Sequence, residues 1–268
     1  MNTKDLIQNL YLRIFQEHLF TTLGKLNQPS ANAAIQLAYG KNYGVKLWNW
    51  YPKKQNHKQQ DILFVHIPKC AGTSIANGFG WNDFRHIPAY YFWLTNKQRF
   101  LNSESFTVIR EPLTRVASML SHYSKSYFSS DIEKKVAEKL DLTEDNLQNN
   151  LYRYLTDKDF RFKLMDGTTP GRTGFSVNQW EYLTWKDTLL VKHIFAFDRL
   201  DHLETWLSSH LETSFKLPHS NSSKRRHKLI PDSDLVKLAR EKMVSEYKLY
   251  DQVMANDGAL HLPISLKP

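Results

Sequence analysis

The sequence predicts an α/β protein with a P-loop-like central parallel sheet, flanked by helices and forming a single domain. Short apolar runs rich in β-branched and aromatic residues alternate with longer segments whose apolar residues recur at helical spacing. Strands separated by helices favour a parallel sheet with helices on its faces. The length of 268 residues is ordinary for one such domain, and no internal repeat divides the chain.

Three apolar segments are predicted to be strands. Residues 62–65 form the first, which ends before Pro68 and leads into a helix that begins at Thr73 or Ser74. Residues 105–109 form the second and are followed by a helix over about 113–123. Residues 189–197 form the third.

The remaining segments are predicted to be helical. Residues 131–156 have apolar positions every three to four residues, and a last long helix is expected to begin near residues 231–232. The third strand is followed by an amphipathic helix whose apolar positions are Leu200, Leu203, Trp206 and Leu207. Residues 1–60 are expected to be a mostly helical lead-in packed on a globular unit of residues 61–268. Its first 20 residues resemble an amphipathic helix, for which peripheral membrane contact is the minority interpretation.

Composition limits the classes of protein to consider. Hydrophobic residues make up 41% of the chain and charged residues 24%, as in globular proteins. No stretch approaches the roughly 20 apolar residues of a membrane-spanning helix. The single cysteine, Cys70, excludes an intrachain disulfide and favours a reducing, cytoplasmic setting. The net charge of +9 suits an anionic partner without identifying it.

The segment after the first strand has the features of an anion-binding loop. Residues 66–74 read His-Ile-Pro-Lys-Cys-Ala-Gly-Thr-Ser. Backbone N–H groups at a helix start and the charge of Lys69 would both attract a phosphate-like group. The Walker A loop of kinases places its lysine directly after a glycine, whereas Lys69 lies three residues before Gly72. The loop therefore fits a kinase poorly.

A second phosphate motif follows the second strand. Arg110 ends that strand, and Ser118 lies about two helical turns later. Ligands of open α/β sheets bind at the carboxyl ends of strands, and a guanidinium with a hydroxyl suits a terminal phosphate. Taken alone the motif is weak, because an arginine at such a turn can equally form a structural salt bridge.

Together, His-Ile-Pro-Lys-x-x-Gly-Thr-Ser and Arg-x-Pro-x-x-Arg-x-x-Ser resemble the two nucleotide motifs of sulfotransferases that use 3′-phosphoadenosine-5′-phosphosulfate (PAPS). The similarity is to the carbohydrate branch that contains heparan 2-O- and chondroitin sulfotransferases, and it extends over about residues 61 to 255. The resemblance implies PAPS as the donor cosubstrate and no metal, because lysine, arginine and helix N-termini neutralise the donor. Its 5′-phosphosulfate would be held by the loop residues Lys69, Cys70, Ala71, Gly72, Thr73 and Ser74.

The same resemblance assigns the other end of the donor. Arg110 and Ser118 would hold the 3′-phosphate, while Arg115 would support the helix or an acidic neighbour. A basic run at residues 219–228 would close over the nucleotide or contact an acidic acceptor, although such a run alone is usually a solvated loop. Its candidate contact residues are Lys224, Arg225 and Arg226.

Sulfuryl transfer to a hydroxyl needs a base for the acceptor proton and a positive charge that stabilises the transferring sulfonate and the leaving phosphate oxygen. Lys69 fits the second role. His86 is the candidate base because heparan 2-O-type enzymes place a catalytic histidine between the two motifs. His122 is the alternative, and His66 is expected to brace the loop. Cys70 is expected to be a small loop residue, with an activated nucleophile as the alternative.

The expected function is thus an O-sulfotransferase acting on a hydroxyl of a carbohydrate, such as a glycan or glycolipid, which can be acidic. No nucleic-acid partner is expected. The aromatic residues 90–93 suggest sugar stacking, but buried core residues are at least as good an interpretation. The alternatives are a P-loop nucleotide kinase, which would need Mg²⁺, and a non-enzymatic polyanion-binding module, whose binding would survive loss of Lys69.

Overall fold

The computed structural model describes residues 62–80, 86–124, 131–166, 178–218 and 232–262. The predicted N-terminal lead-in, residues 1–60, lies outside the described residues. So does the basic run at 219–228, with Lys224, Arg225 and Arg226. No helix within the described ranges is long and apolar enough to cross a membrane.

The fold is mixed α/β, with a central, mostly parallel four-stranded sheet flanked by helices. The sheet has the order β1-β2-β5-β6, and its strands are β1 (Ile62–Phe64), β2 (Glu104–Ile109), β5 (His193–Ala196) and β6 (Ala259–His261). β1, β2 and β5 are parallel neighbours, whereas β6 runs antiparallel to β5. The predicted parallel sheet is confirmed for β1, β2 and β5, whereas the antiparallel strand β6 was not predicted. Residues 259–261 form too short a segment to stand out from a loop in the sequence.

The predicted strand over residues 189–197 is also wrong in part. A separate hairpin of β3 (Thr184–Trp185) and β4 (Thr188–Leu189) comes first, and β5 begins only at His193. The hairpin turns at Lys186 and Asp187, with φ of 48° and 61°. Two positive φ values fit a type I′ turn, which Asn-Gly usually signals. Lys-Asp carries no such signal. Residues 190–192, which separate β4 from β5, include the buried Leu190 and Val191, so the apolar run reads as continuous in the sequence.

Eleven helices surround these strands in the described part of the chain: α1 (Gly72–Gly78), α2 (Ala89–Thr95), α3 (Lys97–Asn102), α4 (Pro112–Ser124), α5 (Asp131–Leu140), α6 (Leu147–Thr156), α7 (Lys158–Asp166), α8 (Gln179–Leu183), α9 (Leu200–Leu211), α10 (Ser233–Lys242) and α11 (Val244–Ala255). The predicted helices after the second and third strands are confirmed as α4 and α9. The continuous helix over 131–156 is wrong, because the chain turns at Asp141 with φ of 53°. The last predicted helix likewise divides at Met243 into α10 and α11.

Buried apolar residues form two clusters. One surrounds the sheet with α1, α2 and α9, and the other lies among α4, α5, α6, α7 and α10. The aromatic residues 90–93 on α2 are at most 8% exposed, so they belong to the first cluster and do not offer a sugar platform. Because β1, β2 and β5 are parallel, the loops that follow them leave one edge of the sheet together.

Candidate functional site

The loop after β1 makes a tight turn with a lysine in the left-handed region. Ile67 O accepts a hydrogen bond from Cys70 N at 3.3 Å, with Pro68 and Lys69 between them. Lys69 has φ of 69°, so the turn has the features of type II, which normally carries glycine at this position. Ala71 is also left-handed, with φ of 62°. Two non-glycine residues in this region mark a strained backbone, as at many ligand sites.

The glycine of the loop is explained by a histidine. A Cβ at Gly72 would lie 1.7 Å from His66 Nε2, so the imidazole occupies the space that a side chain would need. The His66 ring also packs on the ring of His86, with centroids 4.4 Å apart, and is stacked on Phe64 at 5.5 Å. His66 therefore contacts the loop, as expected. It also joins His86, which is distant in sequence, to that loop.

His86 and His122 have different surroundings. His86 is half-buried at the start of the segment that leads into α2, where its ring meets the His66 ring. His122 lies one turn beyond Ser118 on α4, and its ring has an edge contact with Tyr123 at 6.4 Å. The contact with His66 connects His86 to the anion loop through the His66 ring.

The loop side chains face different environments. Thr73 is exposed and Ser74 is half-buried in the first turn of α1. Cys70 is fully buried, and its Sγ donates to Gln179 Oε1 at 3.5 Å, with Pro68 O as a second acceptor at 3.7 Å. Burial raises the pKa of Cys70 to about 12. A buried thiol with a raised pKa fits a small loop residue better than the alternative of a nucleophilic thiolate.

Arg110 leaves the carboxyl end of β2 and is held by one buried residue of α8. Arg110 N donates to Gln179 Oε1 at 2.8 Å, and Gln179 Nε2 donates to Arg110 O at 2.8 Å. Gln179 is 1% exposed. The Arg110 guanidinium lies 4.6 Å from the centre of the Phe197 ring, just beyond β5. Gln179 and Phe197 thus fix the backbone and side chain of Arg110, and no sequence pattern marked either residue.

Arg115 supports an acidic neighbour, as expected. It is fully buried, and although burial alone would lower its pKa, the carboxylate of Glu246 raises it. Burial raises the pKa of Glu246, which Arg115 opposes. Glu246 Oε2 also accepts from Gln179 N at 2.9 Å. Ser118 lies one turn after Arg115 on α4 and is half-buried, so it shares the helix whose buried arginine is attracted by Glu246.

Glu111 is the acidic residue nearest to the end of β2. Its carboxylate accepts from Thr114 N at 2.7 Å and from Leu113 N at 3.3 Å, and the Tyr247 hydroxyl donates to it. These bonds satisfy N–H groups at the start of α4. Within the described ranges, no group of three or more His, Cys, Asp or Glu residues is arranged to hold a metal ion.

The arrangement joins cationic and hydroxyl groups along one edge of the sheet. Lys69, Thr73 and Ser74 follow β1, and Arg110 follows β2. Cys70 and Arg110 share Gln179 as a hydrogen-bond partner, so the two loops are in contact through one side chain. Comparison with protein-family models, curated proteins and solved structures finds no match to this chain.

Proposed function

We propose that this chain is a PAPS-dependent O-sulfotransferase that moves the sulfuryl group to a hydroxyl of a carbohydrate. The observation that carries the proposal is that the two sequence motifs lie on neighbouring parallel strands and share Gln179. A donor with phosphates at both ends needs two anion sites of this kind on one edge of the sheet. The strand–loop–helix unit is then a P-loop-like element in which the lysine precedes the glycine.

The proposed reaction is an in-line displacement at sulfur. The acceptor oxygen forms a bond to sulfur, the bond from sulfur to the 5′-phosphate oxygen breaks, and 3′-phosphoadenosine-5′-phosphate (PAP) leaves. Lys69 stabilises the charge on the sulfonate and the leaving phosphate. Arg110 and Ser118 hold the 3′-phosphate, and Thr73 and Ser74 bind the 5′ side. His86 takes the acceptor proton.

The proposed acceptor is a carbohydrate hydroxyl, with acidic glycans favoured by the net charge of +9. The proposal requires neither nucleic acid nor a metal, and it places the reaction in the cytoplasm because the chain has a single cysteine. Lys224, Arg225 and Arg226 remain proposed contacts of the nucleotide or the acceptor.

A nucleotide kinase fits the same residues less well. Its Mg²⁺ would need an acidic ligand at a strand end. The nearest such residue, Glu111, is engaged by Leu113 N, Thr114 N and the Tyr247 hydroxyl. The position of Lys69 before Gly72 also departs from the kinase loop.

The test is transfer of labelled sulfate from PAPS to a panel of neutral and acidic glycans. Lys69→Ala and His86→Ala should each abolish transfer, by at least about 100-fold, with the fold intact. Lys69→Gly is a sharper variant, because glycine adopts the positive φ of Lys69 without strain.

Lys186→Gly is the matched control, since Lys186 is an exposed lysine with φ of 48° in the β3–β4 turn. It should leave transfer unchanged. Wild-type transfer in Lys69→Ala would contradict the mechanism. Absence of transfer together with salt-sensitive glycan binding that survives loss of Lys69 would instead support a polyanion-binding module.

A further inference from the structure

We propose that Gln179 is a positioning residue that holds the anion loop and Arg110 in a fixed relation. Its effect on the donor depends on the proposed function, whereas its effect on the loop does not. One buried carboxamide makes three hydrogen bonds to the two loops. Gln179 Oε1 accepts from Cys70 Sγ and Arg110 N, and Gln179 Nε2 donates to Arg110 O.

The Gln179 carboxamide bonds the backbone at a point beyond the end of β2. Backbone pairing along β1 and β2 reaches the bond from Val65 N to Phe106 O at 2.8 Å, and Arg110 lies beyond it, directly after the last residue of β2. Gln179 engages both the N–H and the C=O of Arg110, as a neighbouring strand would. The relation between the two loops therefore depends on a side chain from α8.

The backbone of Gln179 is itself held in place. Its N–H donates to Glu246 Oε2 at 2.9 Å, and Glu246 attracts the buried Arg115 of α4. Ser118 lies one turn further along that helix. One residue thus connects the loop with Lys69, the backbone of Arg110 and the helix with Ser118. These are the groups assigned to the two ends of the donor.

The single cysteine gives a test that needs no ligand. Cys70 is fully buried and bonded to Gln179, so labelling of its thiol by Ellman's reagent under native conditions measures opening of the loop. Gln179→Met keeps the approximate shape and removes the three side-chain bonds. It should raise the labelling rate by about tenfold or more, because each lost bond makes opening easier.

Asn150→Leu is the matched control. Asn150 is also a buried carboxamide, 1% exposed, and it bonds to Asp141 O and Arg153 Nη1 away from the loop. It should destabilise the protein without raising the labelling rate more than about twofold, since it leaves the loop intact. Unchanged labelling in Gln179→Met, or an equal rise in Asn150→Leu, would overturn the proposal. If Gln179→Met does not fold, Gln179→Asn replaces it, because the shorter asparagine side chain cannot reach both loops. The expected rise in the labelling rate of Cys70 is the same.

A second arm measures PAP binding by calorimetry in the same proteins. Gln179→Met should weaken PAP binding about tenfold or more while Asn150→Leu leaves it unchanged. If wild type does not bind PAP, the proposed function fails and the labelling arm still decides the role of Gln179. If wild type and Gln179→Met bind PAP equally, positioning of the donor by Gln179 is contradicted and the proposed function stands.

Discussion

Replacing Gly72 by alanine tests the contact between the loop and the two histidines. The new Cβ would lie 1.7 Å from Nε2, 2.2 Å from Cδ2 and 2.4 Å from Cε1 of the His66 ring. Since ordinary contacts between carbon atoms are about 3.5–4.0 Å, the ring must retreat by roughly 2 Å. It would have to give up its packing on Phe64 or on His86.

The magnitude follows from two opposing effects. Overpacking of this kind costs about 1–3 kcal/mol. Alanine in place of glycine within a helix gains up to about 1 kcal/mol, and less at Gly72 because it is the first residue of α1. We therefore predict a net loss of about 1–2 kcal/mol in the free energy of unfolding. In a His66→Ala background the clash disappears, and Gly72→Ala should be neutral or slightly stabilising.

Urea unfolding of the wild type, the two single variants and the double variant measures the coupling, which we expect to be about 1–3 kcal/mol. Gly80→Ala is the control, because Gly80 has φ of +65° and its Cβ would meet nothing within 4 Å. Its cost, of order 1 kcal/mol from backbone strain, should be the same with and without His66. An equal cost of Gly72→Ala in both backgrounds would refute the account of this contact.

Three further predictions concern single residues. Burial raises the pKa of Glu181 to about 7, so the stability that its protonated form contributes is full below about pH 4 and is lost as pH rises through 7. In urea unfolding, Glu181→Gln should therefore stabilise the protein by about 1–3 kcal/mol at pH 8 and leave its stability unchanged at pH 4. Burial alone would raise the pKa of Glu104, but hydrogen bonds from Lys192 and His193 hold it below its usual value. The stability that the Glu104 carboxylate contributes is therefore present above about pH 4 and is lost as pH falls. Glu104→Gln should lower the melting temperature at pH 7 and have a smaller effect at pH 3.5. Ala71→Gly should stabilise the protein by up to about 1 kcal/mol in urea unfolding, because φ at Ala71 is 62° and glycine adopts this conformation without strain. A loss of about 1 kcal/mol or more in the free energy of unfolding would contradict strain at Ala71.

The sequence predicts the elements whose apolar residues repeat regularly. β2, α4 and α9 were found because their buried positions recur with the period of a strand or a helix. The loop between β1 and α1 was found because proline, lysine and glycine punctuate it. α1 begins one to two residues before the predicted start, since Gly72 rather than a capping hydroxyl opens it.

What the sequence could not predict depends on tertiary contacts. Gln179 lies 69 residues from Arg110 and 109 from Cys70, and a single glutamine in a short helix forms no pattern. Phe197 looks like an ordinary core aromatic until Arg110 is placed over its ring. Glu246 is one acidic residue among the 27 Asp and Glu of the chain, and only burial beside Arg115 distinguishes it.

The central claim is that the loop with Lys69 and the Arg110 motif hold the two ends of one nucleotide. Calorimetry with PAP in the absence of magnesium tests it most directly, with ATP as the control. We predict binding of PAP with Kd near 1 μM or tighter, about −8 kcal/mol, much weaker binding of ATP, and a loss of PAP affinity in both Lys69→Gly and Arg110→Ala. Absence of PAP binding by the wild type, or binding of ATP that depends on magnesium, would contradict the claim.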